Sequence, residues 1–176
     1  CRLEHIPKVG DFYVYEVCDV SLIIVRSSDQ EVRAFFNSCL HRGTALAEGT
    51  GNKQLFKCPF HGFSWGLDGQ FKGMPAEWDF PHIDRDEFCL PEAKVALWGG
   101  FVMVNPDSSA SDFEDYATPL SAHFAPYPQE DRYLAHHACQ VVNAHWKATQ
   151  AAFMDGYHVS TTHPHTLPSA TDVHCA

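Results

Sequence analysis

The sequence predicts an α+β chain: a small all-β domain over residues 1–108, followed from residue 109 by the start of a domain that mixes helix and strand. Two observations carry this. Between Phe12 and Asn105 the apolar residues fall in short β-like runs separated by turn signals, and after a break at residues 106–112 the spacing becomes helical. A hydrophobic content of 45% and an aromatic content of 13% in 176 residues supply enough apolar surface for a packed core.

The elements follow in order. FYVYEV, SLIIV and VRAFF read as strands, with SSDQE as a turn between the second and the third. Asp68-Gly69, between FSWGL and QF, signals a hairpin. LPEAKVALWGGFVMVN continues the β pattern, and Gly99-Gly100 predicts a bulge or bend between two strand segments. Trp65 and Trp98 are expected in the β core. In SDFEDYATPLSAHF, Ser111 and Glu114 have the spacing of a capping box, so a helix is expected there and should close before Pro126 and Pro128. YLAHHACQVV reads as a further strand, with His136 and His137 on alternate faces. NAHWKATQAAFMDGYHVSTTH reads as one helix stopped by Pro164.

Charge and composition exclude several functions. A formal net charge of −10 is wrong for nonspecific nucleic-acid binding, which needs cations to displace phosphate counterions. No apolar run has the length of a membrane span, and CRLEHIPKVG is not a signal peptide. The missing initiator methionine and the ending at HCA are what an interior fragment of a longer chain would show. The seven cysteines are odd in number and come without a secretion signal, which points to a reducing cytoplasm. Two of them are expected as metal ligands and the rest mostly as buried small apolar residues.

The chemistry is concentrated in two pentapeptides, CLHRG at 39–43 and CPFHG at 58–62, with sixteen residues between His41 and Cys58. A zinc finger pairs cysteine with cysteine and histidine with histidine. Here each loop carries one of each. A single tetrahedral ion does not need that division, but a Rieske [2Fe–2S] centre does, because one iron takes two thiolates and the other two imidazoles. Two loops gripping such a cluster from opposite sides must each reach both irons. Cys39 and Cys58 would then hold the inner iron, and His41 and His61 the outer one. Gly43 and Gly62 suit loops whose backbone passes close to a ligand. Exchanging two thiolates for neutral imidazoles raises the potential from about −400 mV to about −150 to +300 mV.

CLHRG and CPFHGFSWGLDG resemble the two Rieske loops of the ring-hydroxylating oxygenase α subunits, and the resemblance continues through LWGGFVMVN to the end of the chain. It implies a Rieske domain followed by the beginning of a helix-grip-like catalytic domain. It also gives meaning to MDGYHVSTTHPH, in which Asp155, His158 and His163 are spaced as Asp-x2-His-x4-His. By spacing alone the two histidines point about 140° apart on a regular helix and converge only if it tightens, bulges or ends, for which Thr161-Thr162 is the expected place. By resemblance they are ligands of a mononuclear iron(II), and a distant carboxylate completes a facial triad.

Asp155, one helical turn before His158, can orient that imidazole. The resemblance gives it a second role, bridging to His61 of a neighbouring α subunit, so that electrons cross between protomers of a trimer or an α–β hetero-oligomer. His165 is expected outside the ligand set. Only Asp172 follows His163, too near to be the family's late carboxylate, so the third ligand is expected beyond residue 176. Ala151-Ala152 stand where many relatives have Glu-Asn. Electrons would come from NAD(P)H through a ferredoxin or flavin reductase. The expected reaction is dioxygenation of an aromatic or related apolar compound. The alternatives are monooxygenation and a purely electron-transferring module.

Overall fold

The computed structural model describes residues 1–165 and divides into two compact units, Cys1–Tyr133 and a second beginning at Leu134. The first unit is built on antiparallel strands: β1 Asp11–Val17, β2 Val20–Arg26, β3 Val32–Phe36, β4 Thr50–Asn52, β5 Leu55–Lys57, β6 Ser64–Gly66, β7 Phe71–Gly73, β8 Glu92–Trp98 and β9 Phe101–Asn105. Six of them form a sheet in the order β4-β1-β2-β3-β8-β9, and the other three form a second sheet, β5-β6-β7. With the helices described below, the α+β class read from the sequence is the one observed.

The continuous apolar run of β2 is explained by burial on both of its faces. Ile23 and Val25 point into one core with Phe12, Phe35, Phe56, Phe63 and Trp65. Leu22 and Ile24 point into another with Ile6, Val32, Ala34, Ala93 and Val102. Successive strand residues face opposite ways, so a strand with no solvent face has no polar alternation. Each such side chain contributes about 1.5–3 kcal/mol by leaving water.

Asp68-Gly69 makes the expected hairpin: Gly69 N–H donates to the Gly66 carbonyl at 3.0 Å, and Gln70 N–H donates to Asp68 Oδ1 at 3.0 Å. Gly99-Gly100 is not a bulge. Trp98 pairs directly with Phe101, and both glycines have positive φ (52° and 80°), so the pair is a two-residue turn between β8 and β9. Two short strands, β4 and β5, were not foreseen.

Helix α1 spans Phe113–Phe124 and ends before Pro126, as expected. Its N-cap is Asp112, without a side-chain capping bond, so the Ser111–Glu114 capping box does not form. Trp98 lies between sheet and helix, only half-buried. Its Nε1 donates to Ser121 Oγ at 3.0 Å, and its ring meets Phe124 edge-on at 5.9 Å. Through these contacts α1 belongs to the first compact unit, which therefore runs past residue 108 to Tyr133.

Residues 133–142, which lead into the second unit, form no strand. They are exposed and pair with no other strand among the described residues; β-like composition does not make a ladder without a neighbour. The helix expected over 143–163 is two helices, α2 Trp146–Met154 and α3 Val159–Thr162. Asp155 is extended (φ −88°, ψ 110°) and ends α2 ahead of Gly156. No described helix is long and apolar enough to cross a membrane.

Candidate metal centre

Two loops of identical closure leave β3 and β5. In the first, Cys39 N–H donates to the Thr44 carbonyl (2.9 Å) and Gly43 N–H to the Cys39 carbonyl (2.8 Å). In the second, Cys58 N–H donates to the Phe63 carbonyl (2.7 Å) and Gly62 N–H to the Cys58 carbonyl (3.0 Å). Each turn closes through a glycine at the same left-handed angle, φ 76° for Gly43 and 77° for Gly62, where a side chain would be strained. Only the histidine differs, two residues after the cysteine in the first loop and three in the second.

The loops sort their ligands by depth. Cys39 and Cys58 are 3% and 2% exposed, while His41 and His61 lie at the surface. The thiols are within hydrogen-bonding reach of each other. The imidazoles face each other with centroids 4.7 Å apart and planes at 68°. Among the described residues no three His, Cys, Asp or Glu side chains gather around one point, so the set is a pair of sulfurs and a pair of nitrogens.

Burial pushes the Cys39 thiol up, against the pull of the His41 and Arg42 amides. Burial also opposes ionisation of Cys58. There the amides of His61 and Phe60, with the Cys39 and Thr44 side chains, outweigh it and hold the thiol below its ordinary value. Backbone N–H groups aimed at sulfur are what a thiolate ligand needs.

Two supporting residues were not legible in the sequence. Asn37 is the one polar residue in the described core, 6% exposed. Its Oδ1 accepts from Leu46 N–H (2.8 Å) and Ala47 N–H (3.1 Å), and its Nδ2 donates to the Ala47 carbonyl (2.9 Å), pinning the far end of the first loop. Phe63 lies flat beneath His41, with centroids 4.8 Å apart and planes at 13°. Trp65 is fully buried as expected, with Nε1 donating to the Phe88 carbonyl at 3.0 Å. The remaining described cysteines are not the buried apolar residues expected: Cys18 and Cys139 are exposed, and Cys1 and Cys89 are half-exposed. Cys18 occupies the β1–β2 turn at φ 52°, where the chain must leave the core.

In the second unit His158 caps the start of α3 and His163 its end. Their ring centroids lie 5.3 Å apart. The convergence comes from the end of α3 at Thr162, the expected place, after which His163 leaves the helical conformation (φ −126°, ψ 53°); a further break, at Asp155-Gly156, lies ahead of His158. Asp155 Oδ2 is 3.4 Å from His158 Nδ1, and Asp155 Oδ1 accepts the Tyr157 N–H at 2.8 Å. His165 is exposed. Asp172 lies outside the described residues.

A family model for the Rieske [2Fe-2S] domain matches residues 1–84. The chain is 30% identical over 164 residues to the carnitine monooxygenase oxygenase subunit of Escherichia coli (strain K12), over 92% of this chain and 44% of that protein. It carries a Rieske domain and is a homologue of the Rieske oxygenase α subunits.

The anthranilate 1,2-dioxygenase large subunit of Acinetobacter baylyi is also 30% identical, over 93% of this chain and 36% of that one. Among solved structures, a quaternary ammonium Rieske monooxygenase in complex with L-carnitine matches with a TM-score of 0.83 and 27% identity, over 97% of this chain and 49% of that chain. Naphthalene 1,2-dioxygenase with indole bound matches with a TM-score of 0.82 and 29% identity, over 96% and 40%. The chain thus spans less than half the length of these Rieske oxygenases.

Proposed function

We infer that this chain is part of a terminal oxygenase, in which Cys39, Cys58, His41 and His61 hold a [2Fe–2S] cluster and His158 and His163 hold a mononuclear iron(II). The observation that carries the reading is the pair of matched loops with thiols buried and imidazoles at the surface. That donor set fits a two-iron cluster with one sulfur-ligated and one nitrogen-ligated iron, and two separate pairs do not suit one zinc ion. When bound, the cluster supplies one-electron transfer and the iron supplies dioxygen activation.

The chain's own residues provide the setting. The backbone amides of the two loops stabilise negative charge on the buried sulfurs. Asp155, 3.4 Å from His158 Nδ1, would orient that imidazole so that Nε2 faces the iron. In a ring of α subunits, with or without a β subunit, Asp155 of one protomer would also bridge to His61 of the neighbouring copy. The partners are a ferredoxin or flavin reductase carrying electrons from NAD(P)H, dioxygen and a small substrate, in a cytoplasmic setting where the cysteines stay reduced.

Two substrate outcomes stand side by side. The likeness to anthranilate and naphthalene 1,2-dioxygenases supports dihydroxylation of an aromatic or related apolar compound. The likeness to carnitine and choline monooxygenases supports monooxygenation of a small quaternary amine. The test is turnover under 18O2 by the iron-loaded complete protein with a reductase, offered both substrate classes. Two labelled atoms in one product mark a dioxygenase and one marks a monooxygenase. A chain that binds zinc and no iron overturns the reading.

A further inference from the structure

We propose that Phe63 is a positioning residue for His41, coupling the two loops so that the ligand of the first is set by the second. This rests on reading the loops as the holders of a [2Fe–2S] cluster.

Three observations meet at this residue. Its carbonyl accepts the Cys58 N–H at 2.7 Å, closing the second loop. Its ring, 3% exposed, stacks on His41 of the first loop, 4.8 Å between centroids and 13° between planes. Its other neighbours hold it in place: Phe80 meets it edge-on at 6.0 Å, and Trp65, Phe71 and Phe88 lie within 6.4 Å. His41 is therefore an exposed imidazole with one face on an immobilised plate. His61 has no such floor; its aromatic neighbour Phe60 is itself 60% exposed. An aromatic face restricts rotation about the Cβ–Cγ bond of a stacked ring and excludes water from one side of it. The two imidazoles are thus held with unequal stiffness, and the difference traces to one side chain.

The test uses nitrogen hyperfine couplings from pulsed EPR on the reduced, iron-loaded complete protein. Phe63→Leu should shift or broaden the coupling of one imidazole and leave the other unchanged. Phe63→Tyr, which keeps the plate, should restore both. Phe12→Leu, which removes an aromatic of similar burial in the same core whose ring partner is Phe56, should change neither. Unaltered couplings in Phe63→Leu overturn the proposal, as does an equal change in Phe12→Leu. If Phe63→Leu takes up no cluster, rescue by Phe63→Tyr alongside a normally loaded Phe12→Leu supports it, and an equally empty Phe12→Leu overturns it. A wild-type protein lacking any imidazole-ligated diiron signal instead refutes the cluster itself.

Discussion

The Oδ1 of Asn37 accepts the backbone N–H of Leu46 at 2.8 Å, inside the protein and across nine residues of chain. This bond and its companions to Ala47 return the first ligand loop to the end of β3. Replacing Asn37 by alanine would strand the buried Leu46 and Ala47 amides, a loss of roughly 2–3 kcal/mol. Urea unfolding of the variant should show it, together with reduced iron content. A change within about 0.5 kcal/mol would mean that the loop holds its shape without Asn37.

Cys58→Ala should abolish the visible absorption of the loaded protein and leave the far-ultraviolet circular dichroism of the sheets in place. Cys58 packs in the core with Phe56, Phe63 and Trp65, and that apolar packing does not need its sulfur. Retained visible colour would remove Cys58 from the ligand set.

His163→Ala should lower iron from three to two per chain in the complete protein and keep the cluster spectrum, because His163 lies in the second compact unit. Asp155→Asn is expected to keep all three irons and to slow turnover about 10–100-fold, the usual effect of removing a residue that orients a ligating imidazole. Metal analysis and NAD(P)H-coupled turnover separate the two. Loss of the cluster spectrum in His163→Ala would contradict both assignments.

Trp65→Ala should cost roughly 3–5 kcal/mol, since it removes a fully buried indole and orphans the Phe88 carbonyl. Thermal or denaturant unfolding reads this directly. A cost below about 1 kcal/mol would show that the aromatic core repacks around the gap.

The β6–β7 hairpin carries a pH signature. Burial acts to raise the Asp68 carboxyl, but the Gln70 N–H and the Lys72 ammonium at 3.1 Å outweigh it and hold it below the ordinary 3.8. The folded state therefore binds this proton less readily than the unfolded chain. Its stabilisation is present above 3.8 and disappears as the pH falls through the lower folded-state value. Asp68→Asn should be less stable than wild type at pH 7, with the gap closing in acid. A gap independent of pH would rule out the charge as its source.

The parts of this structure legible in the sequence are those set by neighbouring residues. β2, β3 and the Asp68-Gly69 hairpin follow from local pattern, and the four residues Cys39, His41, Cys58 and His61 stood out because their division is local too. What escaped depends on distant partners. Residues 133–142 have strand composition but no ladder to join. β4 and β5 are strands of only three residues, too short to show a pattern, and are ordered by the strands they pair with. The break at Asp155-Gly156 was masked by helix-compatible residues on either side. Asn37 and Phe63 are ordinary residues whose importance comes from bonds and stacking that only the folded chain creates.

The strand β2 has no face turned to water, and this bears on the two cysteines that share one of its cores. Any replacement from Leu22 to Val25 wounds one core or the other, so this segment offers no tolerant position. Because the same strand floors the ligand loops and roofs the opposite core, the two halves must melt as one body. A cluster held by Cys39 and Cys58 would then be lost through injury at Ile6 or Val102, residues of the opposite core.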